Sequence, residues 1–155
     1  MLKLFKYNWQ VREEWLRWCE SVNEEELLKT RVGGQGSILR TLFHIIEVEY
    51  SWTVMLRGNP DLGEPPFESY ADLTRIRDYS ARCHEEIAPF ITKWCHMDYD
   101  NLRDQNPSEE GQEPSLGDIL RHMIAHEIHH VGQLSVWARE IGRSPVSANL
   151  FDRRL

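Results

Sequence analysis

Residues 122–134 read HMIAHEIHHVGQL and hold four histidines, in a chain that has seven. A neutral imidazole is a metal ligand, and two imidazoles one helical turn apart can reach one ion at Zn–N distances of ~2.0–2.1 Å. Each residue of a helix advances by about 100° around the axis. With His126 at zero, His130 falls at about +40°, inside an apolar stripe of Leu116, Ile119, Met123, Leu134, Trp137 and Ile141 centred near +70°. His126 lies on the edge of that stripe. His122 and His129 fall outside it, at about −40° and −60°, so His129 can serve a ligand only as a neighbour. An inward-facing imidazole needs a buried partner. One metal ion satisfies His126 and His130 together.

HEIHH also contains the His-Glu-x-x-His signature of zinc peptidases. That reading needs a third ligand downstream. Only 25 residues follow His130, and none is histidine. Gly132 comes two residues after His130, so the extended motif with its intervening glycine fails as well. Glu127 would be the general base, yet it points about 100° away from His126, toward the core stripe. The third ligand must therefore come from His44, His84 or His96. His44 sits in TLFHIIEVEYSW, about 80° from the centre of a stripe formed by Ile38, Thr41, Ile45, Val48, Trp52, Met55 and Leu56. It is marginal to its core face, as His126 is, and both lie near the middle of a helix, so they can share one depth. His84, followed by Glu85 and Glu86, and His96, at the end of its helix, read as solvent-facing.

Four helices must position these residues. The first covers roughly residues 3–21, with Leu4, Tyr7, Val11, Trp15, Trp18 and Val22 spaced by threes and fours. NEEEL adds a short turn, and GGQGS breaks the chain with Ser37 placed as an N-cap. The second helix runs over about 38–57 and stops at Gly58, before the loop GNPDLGEPPF. The third opens at SYAD, with Ser69 and Asp72 as a capping box, and continues to about Cys95; Pro89 predicts a kink or break near 85–89. MDYDNLRDQNPSEEGQEP is a long polar connection with room for a short hairpin. The fourth helix opens at SLGD, with Ser115 and Asp118 as a second capping box, and ends at Gly142, with Pro145 beyond. No stretch has a convincing strand pattern. The expected architecture is an all-α four-helix bundle in a single domain over 1–155, and the loop between the second and third helices is long enough for a crossover.

The totals exclude several partners. Apolar residues make up 41% and charged residues 28%, an ordinary soluble composition. A net charge of −7 argues against nucleic acid or an anionic membrane, and Arg153 with Arg154 is the one local basic cluster. No run approaches the ~20 apolar residues of a membrane span. The first residues turn polar too early for a signal peptide. Cys19, Cys83 and Cys95 are odd in number and share no motif, which fits free thiols in a reducing, cytoplasmic compartment.

HEIHHVGQL resembles the H-x-x-x-H-x-G-Q segment of the DinB/YfiT-like superfamily, and LFHIIEVEYSW resembles its H-x-x-x-x-E-x-x-W segment. YNWQVREEWL, GGQGSILRTL and LRGNP fit in order and spacing, so the likeness spans most of the chain. The resemblance implies a bundle with a long crossover between its second and third helices. It implies a divalent metal held by His44, His126 and His130, with nickel or zinc the usual occupant and iron or manganese the others. It also implies a homodimer. Val131 departs from the many members that carry Arg there. Gln133 is present, at about −20° on the wheel, where it can orient a histidine or hold a water. Three neutral imidazoles leave an ion its charge and at least one open position, the mark of a catalytic site. Family members include low-molecular-weight thiol transferases and thiol-dependent isomerases. The leading expectation is therefore a metal-dependent S-transferase using a bacillithiol-type thiol and a small-molecule electrophile. A metal-dependent hydrolase and a non-catalytic metal-binding stress protein are the alternatives. Beyond the ligands, Gln133, Glu127 and His129 are the candidate neighbours of the ion, and no catalytic side chain is assigned.

Overall fold

The computed structural model describes residues 1–59, 65–97 and 114–155. Among them all regular structure is helical: α1 (Leu2–Cys19), α2 (Glu24–Leu28), α3 (Ile38–Leu56), a 3-10 turn (Phe67–Tyr70), α4 (Leu73–Cys95) and α5 (Leu116–Glu140). The middle of the 58–67 loop and nearly all of the long polar connection, with its possible hairpin, lie outside the described residues.

The ends follow from local chemistry. Ser37 Oγ accepts from the Arg40 N–H at 3.2 Å, opening α3. Ser115 Oγ accepts from the Asp118 N–H at 3.2 Å, so Ser115 caps α5 as expected, while its hydroxyl donates to the Asp118 carboxylate at 2.6 Å in place of the backbone bond of a full capping box. At the far end Gly142 takes φ +74°, and the Arg143 N–H returns to the Ala138 carbonyl at 2.9 Å, a Schellman closure. The start of α4 differs from expectation. Ser69 falls in the 3-10 turn, and the cap is Asp72, whose carboxylate accepts from the Arg75 N–H at 2.8 Å. The helix also runs unbroken through Pro89. Pro89 is exposed, as is Glu85 four residues before it, so solvent can take up the carbonyl that the missing N–H leaves behind.

Side-chain contacts give the topology. Along α1, Phe5 clusters with Leu120 and Ile124, Arg12 meets Glu127, and Trp18 reaches Ser144 beyond α5, so α1 and α5 run the same way. His44 meets His126 and His130 while Trp52 meets His122, so α3 opposes α5. Phe43 stacks on Tyr79 and Arg57 lies over Phe90, so α3 and α4 are parallel neighbours. Two parallel consecutive helices require the chain to travel back a bundle length between them. That is the crossover, and it returns past the start of α3, where Phe67 meets Phe43 at a centroid distance of 5.7 Å.

The interior has two apolar clusters. One gathers Val11, Trp15, Leu39, Leu42, Ile46 and Leu134; the other, toward the start of α1, gathers Phe5, Ile87, Ile91, Leu120 and Ile124. Between them lies a charged layer. Arg12, 3% exposed, forks onto Glu127 through Nε (2.9 Å) and NH2 (2.6 Å) and also meets Glu49 at 2.7 Å. Trp9 Nε1 donates to Glu49 at 2.8 Å. The expected stripes of α1 and α3 are rotated in consequence. Leu4 and Met55 are exposed, whereas Phe5, Leu39, Leu42 and Ile46 are fully buried. The rotation has a physical cause: the innermost line of each helix carries a polar residue, Arg12 or Glu49, so a search for apolar spacing alone selects the neighbouring line.

Candidate metal centre

His44, His126 and His130 come together at the α3–α5 seam. His126 Nε2 lies 3.1 Å from His44 Nε2 and 3.1 Å from His130 Nε2, and ligand atoms of all three fall within 4.8 Å of one another. Two nitrogens bound to one ion at ~2.0–2.1 Å stand roughly 3–3.4 Å apart, so the observed spacing suits a shared cation. His130 is buried; His44 and His126 are half-buried.

The protonation pattern makes the same point. His130 Nδ1 is 2.7 Å from Gln133 Oε1, which can only accept, so Nδ1 carries the proton and Nε2 presents a lone pair. His126 Nε2 faces both this nitrogen and His44 Nε2. It can donate toward one neighbour or accept from the other, never both. One close contact among neutral rings therefore stays unsatisfied, and a positive ion between the lone pairs resolves it. Protonating the rings is the costly alternative. Burial and the adjacent His130 push His44 down to about 4, and burial with the neighbouring histidines pushes His126 down to about 4. Burial also lowers His130, against the opposing bond to Gln133. Neutral imidazole is the ligating form.

Gln133 is itself held from two sides. Its Nε2 is 3.0 Å from His129 Nε2, giving a chain His130–Gln133–His129. Behind it, Gly34 adopts φ +52°, and a Cβ built there would lie 2.6 Å from Trp137 Cη2 and 3.0 Å from Gln133 Oε1. The glycine loop thus packs directly on the residue that orients a ligand. Of the other candidates, Glu127 turns to the bundle centre and is bound by Arg12. Burial raises its pKa against the pull of Arg12, and the neighbouring Glu49 adds to the rise. Glu127 is not beside the three nitrogens. Val131 is buried in the core cluster, so no basic group comes from that position. His122 is exposed near Trp52, and His96 is exposed as expected. His84 is not: it is half-buried, its ring set edge-on to Trp9 at 4.6 Å, and burial lowers its pKa against the opposing field of Glu49.

Beside His44 a cavity of ≈ 270 Å³ opens along α3, lined by Arg40, His44 and Glu47, by Gln35, and by Phe67 and Glu68 of the 3-10 turn. Sequence reading missed Arg40 and the Phe67–Glu68 wall. Arg40 sits one turn before His44 and shares its face, a signal that was there to use; the return of the crossover to this place was not.

A protein from Bacillus subtilis (strain 168), given as the uncharacterised protein YizA, is 46% identical over 155 residues, covering 100% of this chain and 96% of its own. The family model of the DinB family matches residues 1–154. With the family model matching almost the whole chain, the chain belongs to the DinB family.

Proposed function

We propose that His44, His126 and His130 hold one divalent ion, nickel or zinc ahead of iron or manganese, and that the protein is a metal-dependent S-transferase for a low-molecular-weight thiol of the bacillithiol type. The observation that carries this reading is the convergence of three imidazole nitrogens at a seam where one of them, His44, also lines a cavity. A divalent ion held by neutral donors supplies Lewis acidity and favours the thiolate form of a thiol brought to it. The chain's own residues do the rest. Gln133 fixes the tautomer and ring angle of His130, burial keeps His44 and His126 unprotonated, and the polar cavity receives the small substrate. A metal position sealed from solvent would suit a storage or stress protein better than half-buried histidines, one of which lines a cavity.

Elemental analysis of untagged protein, native and His44→Ala, tests the ligand set. About one ion per chain is expected in the first and far less in the second. Conjugation of thiols to a model electrophile then tests transfer, with an ester and amide panel run beside it. Turnover in the ester panel alone would replace transfer with hydrolysis. A homodimer in a cytoplasmic setting belongs to the same proposal, and light scattering reads the assembly directly.

A further inference from the structure

Resting on that reading of the site, we propose that the cavity beside His44 selects thiols that also carry a carboxylate, with Arg40 as the group that reads it. Arg40 lies one turn before His44 on α3, a rise of about 6 Å. That is within reach of a compact molecule whose sulfur is at the histidines and whose carboxylate is two or three bonds away. Its guanidinium lies over the Phe67 ring at 5.4 Å and forms no ion pair with any described residue. A planar, solvent-exposed fork beside a cavity, with no ion partner among the described residues, is suited to a carboxylate. In a chain of net charge −7, a small anion needs such a local cation to approach. On the cavity wall Glu68, exposed on the 3-10 turn, offers an acceptor to an ammonium group. One cation and one carboxylate around ≈ 270 Å³ match a small aminothiol acid better than a hydrophobic electrophile.

The test uses full-length protein loaded with cobalt(II) as a spectroscopic probe. L-cysteine, L-cysteine ethyl ester and cysteamine are titrated separately, and the sulfur-to-cobalt charge-transfer absorption reads each dissociation constant. Cysteine should bind about five- to tenfold tighter than its ethyl ester, the range for a partly screened charge-assisted pair. In Arg40→Gln, and in Arg40→Ala as a second variant, that ratio should fall to near one, with cobalt stoichiometry confirming an intact site. Equal binding of acid and ester by the wild type would overturn the inference, as would a ratio that survives both substitutions. In either case the thiol-transfer reading would still stand. If none of the three thiols changed the absorption, the transfer reading would fall and the inference with it. Glu68→Gln should reduce the advantage of cysteine over 3-mercaptopropionate, and an unchanged advantage would remove Glu68 from the proposal.

Discussion

Arg12→Met is the most exacting test of the interior. Arg12 NH2 is 2.7 Å from Glu49 and 2.6 Å from Glu127, so the two carboxylates lie within about 5 Å of each other, both almost fully buried. Without the guanidinium, two unit charges at about 5 Å and an effective dielectric near 20 repel by about 3 kcal/mol, before any desolvation. The chain can escape by protonating one of them. At pH 7 that costs about 3.7 kcal/mol, since each pH unit above an ordinary glutamate pKa near 4.3 is worth about 1.4 kcal/mol. The two routes agree, and both match the roughly 3–5 kcal/mol typical of breaking a buried pair from one side. For a chain of this length the melting temperature should drop by roughly 6–20 °C. The pH dependence is the sharper signature. In the variant the folded state keeps a proton that the unfolded state releases above about pH 4.3, so its penalty shrinks as pH falls. Urea unfolding of both proteins at pH 7 and pH 5 should show the gap narrowing by roughly 2–3 kcal/mol. A gap under about 1 kcal/mol at pH 7, or one that does not narrow, would mean that the carboxylates are solvated and the charged layer does not exist as described. The triple change Arg12→Met, Glu49→Gln, Glu127→Gln should recover most of the loss, because it removes the charges rather than stranding them.

Three further outcomes follow from the metal site. Gln133→Ala removes the acceptor that fixes the His130 tautomer and should lower zinc affinity by about 10- to 100-fold in a chelator competition; unchanged affinity would leave Gln133 a packing residue. Gly34→Ala places a methyl group against Trp137 at a left-handed backbone position and should cost about 1–3 kcal/mol in a thermal melt, with a loss of zinc affinity through Gln133; an unshifted melt would show that the loop does not seat on α5. In chelator-treated protein the folded pKa values of His44 and His126 lie near 4, below the ordinary 6.5. The unfolded chain therefore takes up protons first, and stability is fully present above about pH 6.5 and lost as pH falls toward 4. Denaturation midpoints that hold steady from pH 7 to 4.5 would contradict the burial of these rings.

Periodicity read the helices well and the interior less well, for one physical reason. The wheel placed His126 and His130 correctly because the apolar stripe of α5 is broad, and Ser115, Ser37 and Gly142 marked their helix ends because capping is local. On α1 and α3 the same method chose the line beside the true centre, since Arg12 and Glu49 look like surface residues until they are seen to neutralise each other. Their buried register is present in the letters: Phe5, Asn8, Arg12 and Cys19 are spaced by three, four and seven. Nothing in that spacing says that a partner from each of two distant helices will meet Arg12. His84 was assigned to solvent by its acidic neighbours, and the ring of Trp9 is what half-buries it.

The corrected interior also explains why the triad sits at a seam. The centre of the bundle at this level is already filled by Arg12, Glu49 and Glu127, which tie α1 to both ligand-bearing helices. Glu127 occupies the inward line of α5, about 100° from His126, and Glu49 is about 140° from His44 on α3. Fixing those carboxylates inward fixes the histidines off-axis, facing each other across the α3–α5 boundary, with one side toward solvent. The crossover then does what a simple up-and-down bundle could not. By making α3 and α4 parallel, it brings residues 65–70 back beside the first turns of α3 and gives the open side of the triad a wall. A charged layer that sets helix rotation and a connection that returns to cover the exposed edge are together sufficient to turn three core-margin histidines into a site with a cavity. Loss of the layer should therefore weaken metal binding as well as stability: Arg12→Met, at a temperature where it remains folded, should hold zinc less tightly than the wild type. Equal affinity would show that the histidines keep their geometry without the clamp.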